Sequence, residues 1–403
     1  MKVLLISTSE QSGGGAIAAR RLMKALNANG MEAKMMVRDK QTDDKAVVKA
    51  GSKLPKLMER LAILPRLGFR PSRLWQADIA NVGIGITHTR EFQEADVVHL
   101  HWVCQGMLSL NETERIMRSG KRIVWTLHDE WPYLGVCHYR GDCTEQECRH
   151  CPILCGSLPY YIYRRKHDMY RKWHPTFAGC SQWITEQARK AMPTEHVVHI
   201  NNCIPSDLFH PTDMQQARLS LALPRDKRLL LFCSQKVTDE RKGIAYLSEA
   251  IRELTLKGST EALHLVVVGK NAEQIPLPKG IGITHFGSVG EQMMPSIYNA
   301  ADVFLTPSLQ DNLPNTIAEA MSCGTPCVGF DVGGIPEMID HKENGYVARY
   351  RDAADLAEGI HFVLGHNLRQ AASEKAAKAY DETSVAQQYI SLYTQSDYSE
   401  HSE

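Results

Sequence analysis

Val303-Phe-Leu-Thr-Pro-Ser-Leu-Gln-Asp-Asn-Leu-Pro-Asn-Thr-Ile-Ala-Glu-Ala-Met-Ser-Cys-Gly-Thr-Pro-Cys-Val-Gly-Phe330 reads as a strand, a loop, a helix and a second strand. Val303–Thr306 is short and wholly apolar up to its last residue, as a strand buried on both faces must be. Pro314 is tolerated in a first helical turn, which has no use for the missing N–H, and Asn315 or Thr316 lies close to that start. The helix runs to Cys323, with Gly324 just past its end. Pro326–Phe330 is the next strand. Strand, helix, strand over this length is a βαβ unit and predicts a parallel sheet.

The same alternation extends outward. Leu229–Cys233, His264–Val268, Ile283–Phe286 and Tyr346–Ala348 read as further strands of the second half. In the first half the strands are Lys2–Ser7, Glu32–Val37, Asp96–His101, Arg122–Leu127, Phe177–Cys180 and Val197–Ile200, with helical periodicity over Ala16–Leu26. The expected class is α/β, with two Rossmann-like doubly wound domains over 1–203 and 204–380. The join falls near Cys203–Thr212, where Ile204-Pro205 and His210-Pro211 bracket a polar stretch. After Asp352 the pattern is helical to roughly Tyr393, so 381–403 reads as a final helix and tail, with Ser396–Glu403 polar and frayed.

A chain of 403 residues suits two domains. It is 43% hydrophobic and 23% charged, ordinary for a globular protein. Its 46 basic and 46 acidic residues cancel, which excludes the global basic field of a nucleic-acid binder. The apolar run Val3–Ile6 is too short for a secretion signal, and no stretch approaches the roughly 18–20 apolar residues of a membrane span. The expectation is a cytoplasmic protein.

Two stretches are locally basic. Lys53–Arg73 carries Lys53, Lys56, Arg60, Arg66, Arg70 and Arg73 against one acid, Glu59, with apolar residues including Phe69 between them. Tyr160–Trp173 sets Arg164, Arg165, Lys166, Arg171 and Lys172 among Tyr160, Tyr161, Tyr163, Tyr170 and Trp173. Such surfaces suit peripheral contact with the inner face of a membrane, or a phosphate-bearing acceptor. A solvated helix face is the plainer alternative.

Several residues can carry chemistry. Gly13-Gly14-Gly15 sits between a strand and a helix, where the backbone can approach a ligand and the helix start favours an anion. It is not G-x-G-x-x-G and does not argue for NAD. Asp311 stands in the loop before the quoted helix and Glu319 two turns inside it; carboxylates accept hydrogen bonds from sugar and ribose hydroxyls. Lys242 precedes Gly243 at another helix start, with Lys236 and Arg241 nearby. Positive charge there would serve a diphosphate leaving group.

Asp311–Ile339 resembles the signature of glycosyltransferase family 4, a group of retaining enzymes with the GT-B architecture. So do Arg241-Lys242-Gly243, Asn202 followed by Phe209 and Pro211, Asp96-Val-Val-His-Leu-His101-Trp102, Thr126-Leu-His128-Asp-Glu-Trp131, and the closing Ala386–Tyr393. The resemblance covers essentially the whole chain. It implies two domains facing a cleft, with the terminal helix crossing back to the first. It implies Glu319 on the donor ribose, and Asp311 on the transferred sugar where the family usually has glutamate. Lys242 would face the diphosphate, with Lys236 the candidate for a second cation and Arg241 beside them. Leu313, Pro314, Asn315 and Thr316 would present backbone N–H groups, and Val289, within Gly287–Gly290, would lie toward the base. Gly14 and Gly15 would line the phosphate side, and His128 would lie near the reacting sugar; a merely satisfied histidine at a strand end is the alternative.

Cys137, Cys143, Cys148 and Cys151, four of the chain's 11 cysteines, form C-x5-C-x4-C-x2-C within a loop over 137–155. Four soft ligands this close suit a structural zinc, with free thiols or a disulfide as the alternatives. Some polysaccharide-building members of the resembled family carry similar cysteine-bearing insertions.

The implied function is transfer of a sugar from a nucleotide-diphosphate sugar to a glycan or polyprenol-linked acceptor in bacterial polysaccharide assembly, with no metal cofactor needed for the chemistry. A nucleotide-sugar epimerase of the same fold, and a non-catalytic nucleotide-sugar-binding protein, are the alternatives.

Overall fold

The structure, a computed structural model, describes residues 1–145, 147–256 and 262–395. It divides into two compact units, Met1–Cys203 joined by the segment from Thr383 onward, and Ile204–Glu382. The tail expected over 396–403 lies outside the described residues.

The first unit runs β1 (Lys2–Ser9), α1 (Gly14–Ala28), β2 (Glu32–Asp39), β3 (Val47–Lys49), α2 (Leu54–Ile63), α3 (Arg90–Glu94), β4 (Val97–Leu100), α4 (Leu110–Met117), β5 (Arg122–Leu127), α5 (Leu158–Trp173), β6 (Thr176–Gly179), α6 (Gln182–Ala191) and β7 (Val197–His199). Its strands form one sheet in the order β3-β2-β1-β4-β5-β6-β7, every pair parallel. Alternating residues of β1 feed two cores. Leu4 and Ile6 join one with Trp125 and Phe177, while Val3 and Leu5 join the other with Leu22 and Leu26 of α1. Burial on both faces is why β1 reads as an unbroken apolar run.

The second unit runs α7 (Met214–Ser220), β8 (Arg228–Lys236), α8 (Ile244–Leu256), β9 (Leu263–Lys270), β10 (Gly282–His285), α9 (Met294–Ala300), β11 (Val303–Thr306), α10 (Asn315–Ser322), β12 (Cys327–Phe330), α11 (Ile335–Met338), β13 (Gly345–Ala348), α12 (Ala353–Gly365) and α13 (Arg369–Tyr380). Its sheet is again all parallel, in the order β10-β9-β8-β11-β12-β13. The quoted stretch is β11-α10-β12 as expected, with Pro314 as the cap residue rather than inside the first turn.

α14 (Glu382–Thr394) belongs to the first unit. Its Val385, Ala386, Tyr389, Leu392 and Tyr393 share the core of Val3 and Leu5. The Arg122 guanidinium donates to the Leu392 carbonyl at 3.0 Å and ties down its last turn. No helix among the described residues is long and apolar enough to cross a membrane.

Candidate active site

In an open parallel sheet, ligands bind beyond the carboxyl ends of the strands where the strand order reverses. The order reverses between β8 and β11 in the second unit and between β1 and β4 in the first. The residues singled out from the sequence cluster at these two places.

In the second unit the loop after β8 meets the loop after β11. The Leu309 N–H donates to the Arg241 carbonyl at 2.6 Å, and Lys242 Nζ lies 2.5 Å from Asp311 Oδ2. Ser308 Oγ donates to the same oxygen at 3.2 Å. Gly243 permits the approach: its φ is +69°, and a Cβ there would fall 1.7 Å from the Pro307 carbonyl oxygen. Asp311 and Lys242 are both only partly buried, so the charged pair faces outward where a ligand can compete for either member.

Glu319 sits inside α10 and is 6% exposed. The buried Tyr298 hydroxyl, from α9, donates to its Oε2 at 2.8 Å. Burial first, and the nearby Glu319 carboxylate second, push the Tyr298 phenol well above its ordinary range, so it stays a donor. A hydrogen bond to a charged acceptor contributes about 1.5–3 kcal/mol, enough to fix the carboxylate's direction. Leu313 and Pro314 are buried at the entry to α10, and Asn315 and Thr316 are half-buried in its first turn, whose N–H groups have no partner one turn back within the helix. Arg241 is held by Asp239 at 2.7 Å. Lys236, exposed at the end of β8, and Val289, half-buried before α9, have no contact here that brings them to the Lys242–Asp311 pair.

In the first unit Gly14 opens α1 and Gly15 lies against His128: a Cβ on Gly15 would sit 3.0 Å from His128 Cγ. His128, the residue after β5, is half-buried. Its Nε2 is 2.9 Å from His101 Nδ1, and the rings stack at 5.2 Å. Burial pushes His128 down to about 4, against the opposing pull of Asp129, so the imidazole is neutral at neutral pH. His101 is held lower by burial, then by His99 and His128. Buried His101 Nε2 has no hydrogen-bond partner. A bare lone pair there costs less than an orphaned N–H, so Nδ1 of His101 donates and Nε2 of His128 accepts. His128 then carries its own proton on Nδ1. Behind it, His99 contacts the Tyr393 hydroxyl at 2.6 Å and Thr126 Oγ1 at 2.7 Å.

Asp129 accepts from Trp102 Nε1 at 2.8 Å and the Trp131 N–H at 3.0 Å, and pairs with His138 Nδ1 at 2.7 Å. Burial acts to raise this carboxyl, but His138 and these donors carry it below its usual range. His99, His101, Asp129, His138 and Tyr298 carry weight in this arrangement without having stood out in the sequence. The closeness of His99 and His101 in the motif around β4 was the available signal.

The zinc expectation finds no support in the arrangement of these residues. Cys137, Cys143, Cys148 and Cys151 line one small pocket, but among the described residues no three metal-binding side chains converge as a cage. Two of the sulfurs accept backbone hydrogen bonds. Cys148 Sγ accepts from the Gly135 N–H at 3.2 Å, and Cys151 Sγ from the Leu154 N–H at 3.5 Å. Cys151 is pulled down to about 6, first by its hydrogen bond from Cys137.

Residues 227–366 match the family model described as glycosyl transferases group 1. The chain is 23% identical over 222 residues to an N-acetyl-α-D-glucosaminyl L-malate synthase of Bacillus anthracis, covering 52% of this chain and 56% of that protein. It is 22% identical over 325 residues to WcaC of Escherichia coli, named as a colanic acid biosynthesis glycosyl transferase, covering 74% and 76%. The chain thus spans between about half and three quarters of these relatives' lengths. Among solved structures, a sucrose-phosphate synthase of Thermosynechococcus elongatus superposes with a TM-score of 0.65 at 19% identity, over 97% of this chain and 98% of that one. HepE of Anabaena, in complex with UDP and glucose, gives 0.66 at 15%, over 97% and 99%. The fold is the twin Rossmann-like GT-B architecture of these solved structures. The match to the glycosyl transferases group 1 model falls wholly within the second unit.

Proposed function

We propose that the chain transfers a sugar, with retention of anomeric configuration, from a nucleotide-diphosphate sugar to a glycan or polyprenol-linked acceptor in polysaccharide biosynthesis. The observation that carries this reading is the Lys242–Asp311 pair at the mouth of α10, with Glu319 held by Tyr298 two turns further in. In this reading the diphosphate takes Lys242 and the N–H groups at Asn315–Thr316, Glu319 takes the ribose, and Asp311, released, takes a hydroxyl of the transferred sugar. The base lies toward Gly287–Gly290.

The glycosidic bond to the distal phosphate breaks as the acceptor oxygen bonds to the same face of the sugar carbon. The leaving phosphate oxygen takes the acceptor proton. Lys242 and the helix start stabilise the negative charge that develops. His128, neutral with its proton on Nδ1, donates to a sugar hydroxyl. The UDP and glucose bound by HepE, and a relative named for a diphospho-undecaprenol acceptor in Campylobacter jejuni, support the substrate classes.

Thermal shift with a panel of nucleoside diphosphates and nucleotide-sugars tests the donor site, since stabilisation follows affinity for the folded state. Lys242→Ala and Glu319→Ala should stay folded and lose both the shift and turnover. Near wild-type turnover in both would refute the site. Product analysis separates transfer from epimerisation: a nucleoside diphosphate and a longer acceptor, against a free epimerised donor.

A further inference from the structure

α2 has two unlike faces. Glu59 and Ile63 turn inward and are buried. Leu54, Leu57, Met58 and Leu61, spaced i, i+3, i+4 and i+7, form an apolar ridge on the outside, each between 48% and 60% exposed. Phe69, just beyond the helix, is 71% exposed. A soluble surface scatters single apolar residues; five large ones within one short segment form a patch.

The exposed charges of the segment itself are of one sign, with Asp39, already paired to Arg38, the acid near Lys53 and Lys56. Lys53, Arg60, Arg66, Arg70 and Arg73 are exposed and Lys56 is half-buried. Glu59, the one acid of the stretch, is spent on the interior: its Oε1 accepts from the Ile79 and Ala80 N–H groups at 2.8 and 2.9 Å, and its Oε2 from Asn81 at 3.2 Å. Lys56 is held below its ordinary range, first by partial burial and then by Arg60 and Arg38, a sign of mutual repulsion that an anion would relieve.

The second basic stretch, on α5, differs. Arg165 lies 3.5 Å from Glu114, Arg164 4.0 Å from Asp168, and Arg171 pairs with Asp168 as well. Lys166 is buried, donating to the Trp131 and Leu134 carbonyls at 2.6 and 2.9 Å. That face is partly neutralised by two carboxylates, Glu114 and Asp168, set among Arg164, Arg165, Arg171 and Lys172.

The geometry points to α2 and the turn through Arg73 as a docking surface for an anionic lipid bilayer. Leu54, Leu57, Met58, Leu61 and Phe69 enter the headgroup boundary while the cations meet lipid phosphates. An apolar ridge flanked by unbalanced lysine and arginine complements that interface in both chemistry and charge. A phosphate-bearing soluble partner would use the cations but leave the ridge in water.

The test is flotation of the full chain with vesicles of phosphatidylcholine alone, or with about 30 mol% phosphatidylglycerol, an anionic fraction giving roughly fivefold in affinity per engaged cation. The chain should float with the anionic vesicles, and less so as salt shortens the screening length. Leu57→Glu/Leu61→Glu should reduce flotation at least tenfold with an unchanged melting temperature, because both side chains already face solvent. Lys53→Glu/Arg60→Glu should reduce it similarly. Absence of flotation at any composition overturns the proposal. So does flotation that the ridge variant leaves intact, which would indicate phosphate recognition alone. A dimer in solution that the ridge variant dissociates, without flotation, would reassign the face to self-association. No donor sugar is needed, so the result is independent of the transferase reading.

Discussion

His101 Nδ1 lies 2.9 Å from Nε2 of His128, joining the residue after β4 to the residue after β5. The contact sets which His128 nitrogen carries the proton. His101→Leu keeps bulk but removes the donor, and His128 can then adopt either tautomer or turn. Turnover should fall by about tenfold to a hundredfold, with donor KM little changed, as expected for a lost positioning hydrogen bond. Initial rates over a range of donor concentration decide it. An unchanged kcat would show that the tautomer does not matter.

The same histidine makes stability depend on pH. His128 is held down to about 4 in the fold by burial, against an ordinary value of 6.5. The unfolded chain therefore binds a proton below 6.5 that the folded chain refuses. The contribution is complete above 6.5 and is lost as pH falls toward 4. Between pH 7 and pH 5 the loss amounts to about 2 kcal/mol from His128 alone. Urea midpoints at the two pH values should show it, and His128→Gln should flatten the slope. An equally steep slope in that variant would move the effect to other groups.

Tyr298 is buried with its hydroxyl on Glu319. Tyr298→Phe leaves a buried carboxylate oxygen without that donor, at a cost of about 1–3 kcal/mol. Part of that loss should appear as weaker nucleotide binding, because Glu319 loses the group that aims it. Calorimetric titration with the nucleotide found by the thermal-shift panel checks this. Unaltered affinity alongside reduced stability would leave Tyr298 a packing residue.

Gly243 has no room for a methyl group, since the Pro307 carbonyl oxygen occupies its place. Gly243→Ala should cost on the order of 2 kcal/mol or more and displace Lys242 from Asp311. Donor affinity should drop with it, whereas the nearby exposed variant Glu240→Ala should leave both unchanged. Wild-type stability in Gly243→Ala would mean the two loops do not depend on one another.

The fold was legible because parallel strands buried on both faces announce themselves as apolar runs, as at Leu229–Cys233 and Val303–Thr306. β3 was missed: Val47-Val-Lys49 is too short for any period to show. The second unit's candidate residues were legible because most lie in one contiguous strand, loop and helix. The His101–His128 contact was not, because it depends on β4 lying beside β5, and Tyr298 reaches Glu319 from another helix. The cysteines are a different case. Spacing says how near they are along the chain, not where each sulfur points, and Cys148, at φ 56°, turns its sulfur to the Gly135 N–H.

The first unit is split along the chain: α14, which completes its core and brings the Tyr393 hydroxyl to His99, comes after the whole second unit. During synthesis, on the order of ten seconds or more separates Cys203 from Thr383 at ordinary elongation rates. Through that interval the nascent first unit lacks one helix of its interior, and the second unit, whose sequence is continuous, can fold before it. The ribosome thus delivers the candidate donor half of the molecule finished while the other half still waits for its last helix. Synthesis of α14, rather than of β4 and β5 alone, completes the histidine cluster.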